Sequence, residues 1–240
     1  MILYKYFKKE RTEPIREFAL RVTQPNLFND PWECLPSMAM PKSWRLPPQQ
    51  SNPDDINNLA AGKALQDEWS KRIGILCLSE SPASTLMWGH YASNHEGYVL
   101  GFDSTHEFFR GSSGLDALTK VIYTDQRFQL GSNGIAADVN DVNYLFQKGR
   151  DWRYEAEWRR IFPLESATSS SADVYVYQFP PEALSEVIIG YRTSDKLGSD
   201  LVALQSSLPW VKIRYARPSA TNYQMILEAT KPAATISFPL

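Results

Sequence analysis

The sequence predicts an α+β domain built on a curved, largely antiparallel sheet with packed helices. Three observations carry that expectation. Short apolar runs and period-two stretches, the patterns of strands, are interspersed with segments whose apolar residues recur at helical spacing. No glycine-rich strand–turn–helix fingerprint marks a parallel dinucleotide-binding unit. At 240 residues, 43% hydrophobic and 22% charged, the chain has ordinary globular usage and length for one substantial core. One domain over 1–240 is expected, with an exposed proline-rich loop about 40–52 and an irregular tail about 230–240.

That loop carries Pro41, Pro47 and Pro48. It should end in a helix start, with Asn52 able to cap and Pro53 suited to the first helical position. Ala61, Leu65, Trp69 and Ile73 form one apolar helix face, and Gly74 permits a left-handed exit. Residues 75–79 form a short apolar run expected to be a buried strand, and Ser81-Pro82 opens a helix to about 92. A turn over 94–97 leads to a strand at 98–102. Ser104 and Glu107 have capping-box spacing, opening a short helix that ends near Gly111. A strand is expected over 120–124. Val139, Val142, Leu145 and Phe146 then mark a helix ended by Gly149. Over 152–159 Trp152, Tyr154, Ala156 and Trp158 alternate with charged residues, predicting a strand with a packed aromatic face and a charged face. Strands follow at 174–179 and 186–190, then a helical stripe of Leu197, Leu201 and Leu204, then a strand at 210–215.

Charge and cysteine content narrow the function classes. A net charge of -2 gives no basic excess to recruit nucleic acid. No apolar run approaches the roughly 18 residues of a membrane span, and the first residues turn charged at once, unlike a signal peptide. Cys34 and Cys77 are too few for a disulfide framework or a four-thiolate zinc site. A cytoplasmic location without membrane contact is expected.

Three polar clusters are candidates for chemistry. Phe28-Asn29-Asp30-Pro31-Trp32-Glu33 has strong turn chemistry. It is either a structural turn with Phe28 and Trp32 buried beside it, or it points Asp30 or Glu33 into a cleft. Met87-Trp88-Gly89-His90-Tyr91 offers a stacking plane, a proton carrier and a hydroxyl on one helix, fit for a planar polar ligand or for plain core packing. A zinc site at His90 and His95 lacks a third ligand. In the third cluster Glu155, Glu157 and Arg159 share one strand face near Lys148. This is either a solvated face of weak ion pairs or a pair of mutually perturbed carboxylates in a cleft. Asp30, Glu33, Glu155 and Glu157 near Lys148 would also suit a Mg²⁺-dependent nuclease or phosphodiesterase.

The order of these clusters resembles the bacterial and phage-associated family known as domain of unknown function 2971. The motifs are Leu3-Tyr4-Lys5-Tyr6, Leu20-Arg21, Phe28 to Glu33, Leu78-Ser79-Glu80, Met87 to Ala92, His95-Glu96-Gly97-Tyr98, Gly101-Phe102-Asp103, Val121 with Tyr123, and Trp152-Tyr154-Glu155 with Glu157-Trp158-Arg159. Trp32 stands where the family more often has Phe. More distantly, the layout looks like ADP-ribosyltransferase folds, and Glu155-Ala156-Glu157 is similar to their Glu-x-Glu signature. That likeness implies an NAD-consuming enzyme acting in phage or stress conflict, with Glu157 catalytic and Glu155 its substrate-side partner. Trp88 or Tyr91 would pack on nicotinamide, and Lys5, Arg21 or His90 would hold ribose or phosphate. Asp30, Glu33 and Arg159 are further pocket candidates. NAD would be substrate, no metal is implied, and the acceptor would be a protein or a nucleic acid. A non-catalytic module that senses a ligand or binds a partner is the remaining alternative.

Overall fold

The computed structural model describes residues 1–38, 56–111, 114–130, 142–171 and 173–232. The proline-rich loop over 40–52, the Asn52-Pro53 helix start, Val139 and the tail from 233 lie outside the described residues. The chain opens with β1 (Ile2–Phe7), a helical turn α1 (Glu13–Arg16), β2 (Ala19–Val22), β3 (Ser37–Met38) and helix α2 (Ile56–Ser70). Next come β4 (Ile73–Ser79), α3 (Thr85–Tyr91), β5 (Tyr98–Asp103), α4 (Glu107–Arg110), β6 (Thr119–Lys120), β7 (Ile122–Thr124) and β8 (Gln129–Leu130). The remainder holds β9 (Gln147–Gly149), β10 (Glu157–Pro163), β11 (Ser169–Ser171), β12 (Val174–Gln178), β13 (Leu184–Ile189), α5 (Asp195–Ser207), β14 (Lys212–Pro218) and β15 (Met225–Glu228).

Eight strands form the main sheet in the order β15-β14-β13-β5-β1-β4-β10-β6. Every neighbouring pair is antiparallel except β13 and β14. The parallel pair is joined through α5, because parallel neighbours need a crossover connection. This is the α+β architecture, with a mixed, mostly antiparallel sheet. A second sheet, β11-β12-β2, meets the first where Thr23 bridges Ile75.

Side-chain alternation divides the main sheet into two faces. On one, Leu3, Phe7, Leu76, Leu78, Leu100, Phe102, Phe162, Val187 and Ile189 join Leu20, Val22 and Tyr177 of the second sheet and Leu197, Leu201 and Leu204 of α5. On the other, Tyr4, Tyr6, Val99 and Ile188 lie under Met87 and Trp88 of α3. Farther along that face Ile73, Ile75 and Ile161 pack with Leu145 and Phe146. Between these two apolar clusters runs a buried polar band of Ser79, Glu157 and Arg159.

Several elements differ from expectation for identifiable reasons. Gly74 lies within β4 and makes no left-handed exit; a Cβ there would stand 2.4 Å from Val22 Cγ2, so the glycine clears room for the second sheet. α3 is capped by Ser84, whose side chain accepts from the Met87 N–H, and it starts later than Ser81-Pro82 suggested. His106, not Ser104, caps α4, and the Ser104 hydroxyl donates to the Met1 carbonyl instead. The strand expected over 120–124 is split between β6 and β7. In place of the helix ended by Gly149 there is a 3₁₀ turn, Asn143–Phe146, followed by β9.

The most consequential difference is at 152–159. Arg150–Glu155 is a 3₁₀ helix, Ala156 adopts a left-handed backbone (φ 44), and β10 begins only at Glu157. The burial is also inverted: Glu155, Glu157 and Arg159 are buried, whereas Trp152 and Trp158 are half-exposed. A period-two pattern shows that two faces exist, but it assigns the charged one to solvent only if the charges lack partners inside. Here they have them.

Candidate functional site

The Asn-Asp-Pro turn builds the first wall. The Asp30 carboxylate accepts from the Trp32 N–H at 3.0 Å, and the Glu33 N–H donates to the Asp30 carbonyl at 3.1 Å. The turn throws Trp32 outward, 56% exposed, and Glu33 inward, 1% exposed. Asp30 thus serves the turn, and Trp32 is not buried beside it. Lys148 comes from β9, which β7 holds in register through Tyr123 opposite Lys148. Glu157 and Arg159 share one face of β10, and the left-handed Ala156 swings Glu155 in beside them.

These side chains meet in one buried network. Lys148 Nζ lies 2.5 Å from Glu155 Oε2, 3.3 Å from Glu157 Oε2 and 3.3 Å from Glu33 Oε2. Arg159 donates from Nε to Glu157 Oε1 at 2.8 Å and from Nη2 to Glu157 Oε2 at 3.1 Å. It also donates to Glu33 and, through Nη1, to the Leu145 carbonyl. The Tyr91 hydroxyl donates to Glu155 Oε1 at 2.6 Å, tying α3 to the network. The Glu157 N–H donates to the Tyr123 hydroxyl at 2.9 Å.

Three carboxylates facing two cations cannot share the compensation equally. Burial raises the Glu33 carboxyl to about 7, against the pull of Arg159 and Lys148. Burial acts on Glu157 in the same sense, but Arg159 and Lys148 outweigh it and hold that carboxyl down at about 2. The difference is geometric. Glu157 receives two aligned Arg159 bonds, whereas Lys148 faces Glu33 Oε2 without hydrogen-bond alignment. Glu155 is raised by burial, with Lys148 opposing. Lys148 and Arg159 are both held protonated by the carboxylates despite burial. Tyr91 is raised by burial and by Glu155.

A cleft of about 1010 Å³ abuts the network through Lys148 and is also lined by Trp32, Arg127, Tyr144, Gln147 and Arg150. Glu155 and Glu157 do not line it; Lys148 stands between. Trp88 is fully buried, donating its indole N–H to the Pro82 carbonyl at 2.9 Å. His90 is exposed, 6.2 Å from the rings of both Tyr91 and Tyr154. Lys5 and Arg21 approach β4 from its other edge. Among the described residues no group of three His, Cys, Asp or Glu side chains is set to hold a metal. A cation entering between the three glutamates would have to displace the Lys148 ammonium.

Glu33, Glu155, Glu157, Arg159 and Tyr91 are therefore brought together, while Asp30, Trp88 and His90 stand apart. Lys148 and Tyr123 were singled out in sequence, but their contacts with Glu155, Glu157 and Glu33 were not legible there, because they depend on the β7–β9 pairing. Among the described residues no helix is long and apolar enough to cross a membrane.

Fold and site together define an α+β protein with a buried lysine–arginine–glutamate network beside a cleft lined by aromatic residues and by charges of both signs. Residues 87–160 match the family described as Protein of unknown function (DUF2971). The matched segment carries Tyr91, Lys148, Glu155, Glu157 and Arg159, so it spans most of the network and supports the family resemblance drawn from the motifs. No curated protein and no solved structure matches the chain.

Proposed function

We propose that the protein is an enzyme that cleaves the nicotinamide–ribose bond of NAD and transfers ADP-ribose to an acceptor. The observation that carries this reading is Glu155, a buried carboxylate held between the Lys148 ammonium at 2.5 Å and the Tyr91 hydroxyl at 2.6 Å; Lys148 separates it from the cleft, so on this reading Lys148 swings aside when substrate enters. Departure of nicotinamide leaves an oxocarbenium-like ribose. A carboxylate fixed in a water-poor site stabilises that positive charge without reorganising. Both carboxylates have both oxygens hydrogen-bonded, but Glu155 is held by single bonds from Tyr91 and Lys148, whereas Glu157 is clamped by two bonds from one guanidinium; the role is therefore assigned to Glu155. Glu157 then acts as a positioning residue, fixing Lys148 and Arg159.

The test is nicotinamide release from NAD by wild type, Glu155→Gln and Glu157→Gln, with and without chelator and with cell extract as acceptor. We expect Glu155→Gln to fold and to lose turnover by about 10²-fold or more. Wild-type release no faster than that of Glu155→Gln under every condition would sink the proposal. A second reading has one observation in its favour: all five charged groups are mutually paired, as in a purely structural network. On that reading the cleft is a ligand sensor, and NAD or another nucleotide binds without turnover.

A further inference from the structure

One residue lining the cleft departs from the usual habit of its type. Tryptophan is ordinarily well buried, yet Trp32 is 56% exposed where it lines the cleft. The Asp30 turn aims it there, through the carboxylate that accepts from the Trp32 N–H. A guanidinium then holds the ring in place. Arg127 Cζ stands 5.3 Å from the centroid of the indole. Arg127 is itself pinned to backbone: Nε and Nη2 donate to the Leu35 carbonyl at 3.2 and 3.0 Å, and Nη2 donates to the Pro36 carbonyl at 2.9 Å. The indole is therefore set against a fixed cation with ring surface left free. A flat partner can stack on it without the ordering cost that a mobile side chain would carry.

The polar groups of the cleft narrow the kind of flat partner that fits. Each cation lining it is already engaged: Arg127 with the two carbonyls, Arg150 with Asp125 at 3.0 Å, and Lys148 with the three glutamates. The unmet demand is for a donor. Gln147 lines the cleft, and its Oε1 is buried with no hydrogen-bond partner among the described residues. Buried acceptors are ordinarily satisfied. The terminal torsion of glutamine is soft, so a turn of the amide brings this oxygen to an N–H group in the cleft. Stacking on an aromatic plane takes any base, and a lone acceptor beside it selects one that carries an amino group.

We infer that the cleft is a nucleobase-binding site, with the base stacked on Trp32 and its exocyclic amino group donating to Gln147 Oε1. At about 1010 Å³ the cleft has room for a nucleotide. A free nucleotide and an unpaired base of a single strand offer the same chemistry. On the NAD reading the adenine end lies on Trp32 and the reacting ribose lies at Lys148. That placement rests on the proposed reaction; base binding itself does not.

The experiment is titration of the full chain, read by calorimetry and by quenching of intrinsic tryptophan fluorescence. The probes are adenosine monophosphate, a short single-stranded oligoadenylate, and the monophosphate of purine riboside, which lacks the amino group. Trp32→Ala, Trp32→Phe and Gln147→Met are run beside wild type. Because Trp32 is exposed, its substitution spares the core. We expect Trp32→Ala to weaken adenosine monophosphate binding by about tenfold or more and to remove the quenching, while Trp32→Phe keeps most of the affinity. Wild type should bind the purine riboside compound several-fold more weakly than adenosine monophosphate, and Gln147→Met should bind the two equally. Tighter binding of the oligoadenylate than of the mononucleotide would assign the site to a strand; equal binding would assign it to a free nucleotide. No binding of either by wild type, or unchanged binding by Trp32→Ala, overturns the site. If Gln147→Met fails to fold, the Trp32 variants decide. Base binding without nicotinamide release would sink the proposed reaction and leave the site standing. Nicotinamide release with an unchanged KM for NAD in Trp32→Ala would do the reverse.

Discussion

Glu157 and Glu155 are separated by one residue yet should respond differently to the same change. Glu157→Gln leaves Arg159 with a weakened partner in a site where Arg159 is 0% exposed. Breaking one partner out of a buried ion pair typically costs about 3–5 kcal/mol. We expect chemical denaturation to report a loss of that order for Glu157→Gln and a clearly smaller one for Glu155→Gln. In the latter the amide oxygen can still accept from Lys148 while the amide N–H turns to the Tyr91 oxygen, and Lys148 stays paired with Glu33 and Glu157. Equal losses would show that the two carboxylates do the same job. Glu33 gives a pH signature. Its folded-state pKa of about 7 lies above the ordinary carboxyl value of 4.5, so the native state holds a proton that the unfolded chain gives up. Its stabilising contribution is complete below about 4.5 and disappears as pH rises through 7. Glu157, depressed to about 2, contributes above 4.5 and loses its contribution as pH falls toward 2. Melting curves between pH 5 and 8 should thus fall with pH in wild type, and Glu33→Gln should flatten that slope.

At the scale of elements, the turn between the 3₁₀ helix and β10 is the device that gathers the network. Ala156 sits at φ 44, a conformation that costs an L-residue with a Cβ about 1–2 kcal/mol. Ala156→Gly should be neutral or slightly stabilising, since relief of strain is offset by a freer unfolded chain. Ala156→Val should destabilise by more than about 1 kcal/mol and disturb the Lys148–Glu155 contact, which melting and the Glu155-dependent activity would both reveal. The sequence made much of this architecture legible. Buried strands at 75–79 and 98–102, the leucine stripe of α5 and the Asp30 turn follow from local rules, and β4, β5, α5 and the turn stand where those rules put them. What escaped is non-local. β1 and β2 gave no clear strand signal, because a strand buried on both faces and a four-residue strand each lack a readable alternation. In the site, the Glu155–Glu157–Arg159 spacing was visible, but the side on which it lies was fixed by Glu33, far away in sequence, and by Lys148, nearby in sequence but aimed by the β7–β9 pairing.

Across the whole molecule, the main and second sheets approach closely at Gly74, beside the Thr23–Ile75 bridge. Gly74 faces Val22 so closely that a Cβ would stand 2.4 Å from Val22 Cγ2. Gly74→Ala should therefore push the sheets apart at a cost of about 1–3 kcal/mol, the usual range for overpacking. Amide exchange over β2 and β12 would localise the damage.

The position of β1 has a consequence for how the molecule is made. It lies in the interior of the main sheet, with Tyr4 paired to Ser79 on one side and Ile2 to Asp103 on the other. Neither neighbour exists until a long stretch of further chain has been synthesised. The apolar Ile2–Phe7 strand must therefore leave the ribosome unpaired and wait, and every contact that encloses it closes a large loop. Such topologies fold slowly and expose sticky strands meanwhile. Nascent chains halted before Asp103 should remain protease-sensitive and retained by chaperones, with protection appearing only after β5 has emerged.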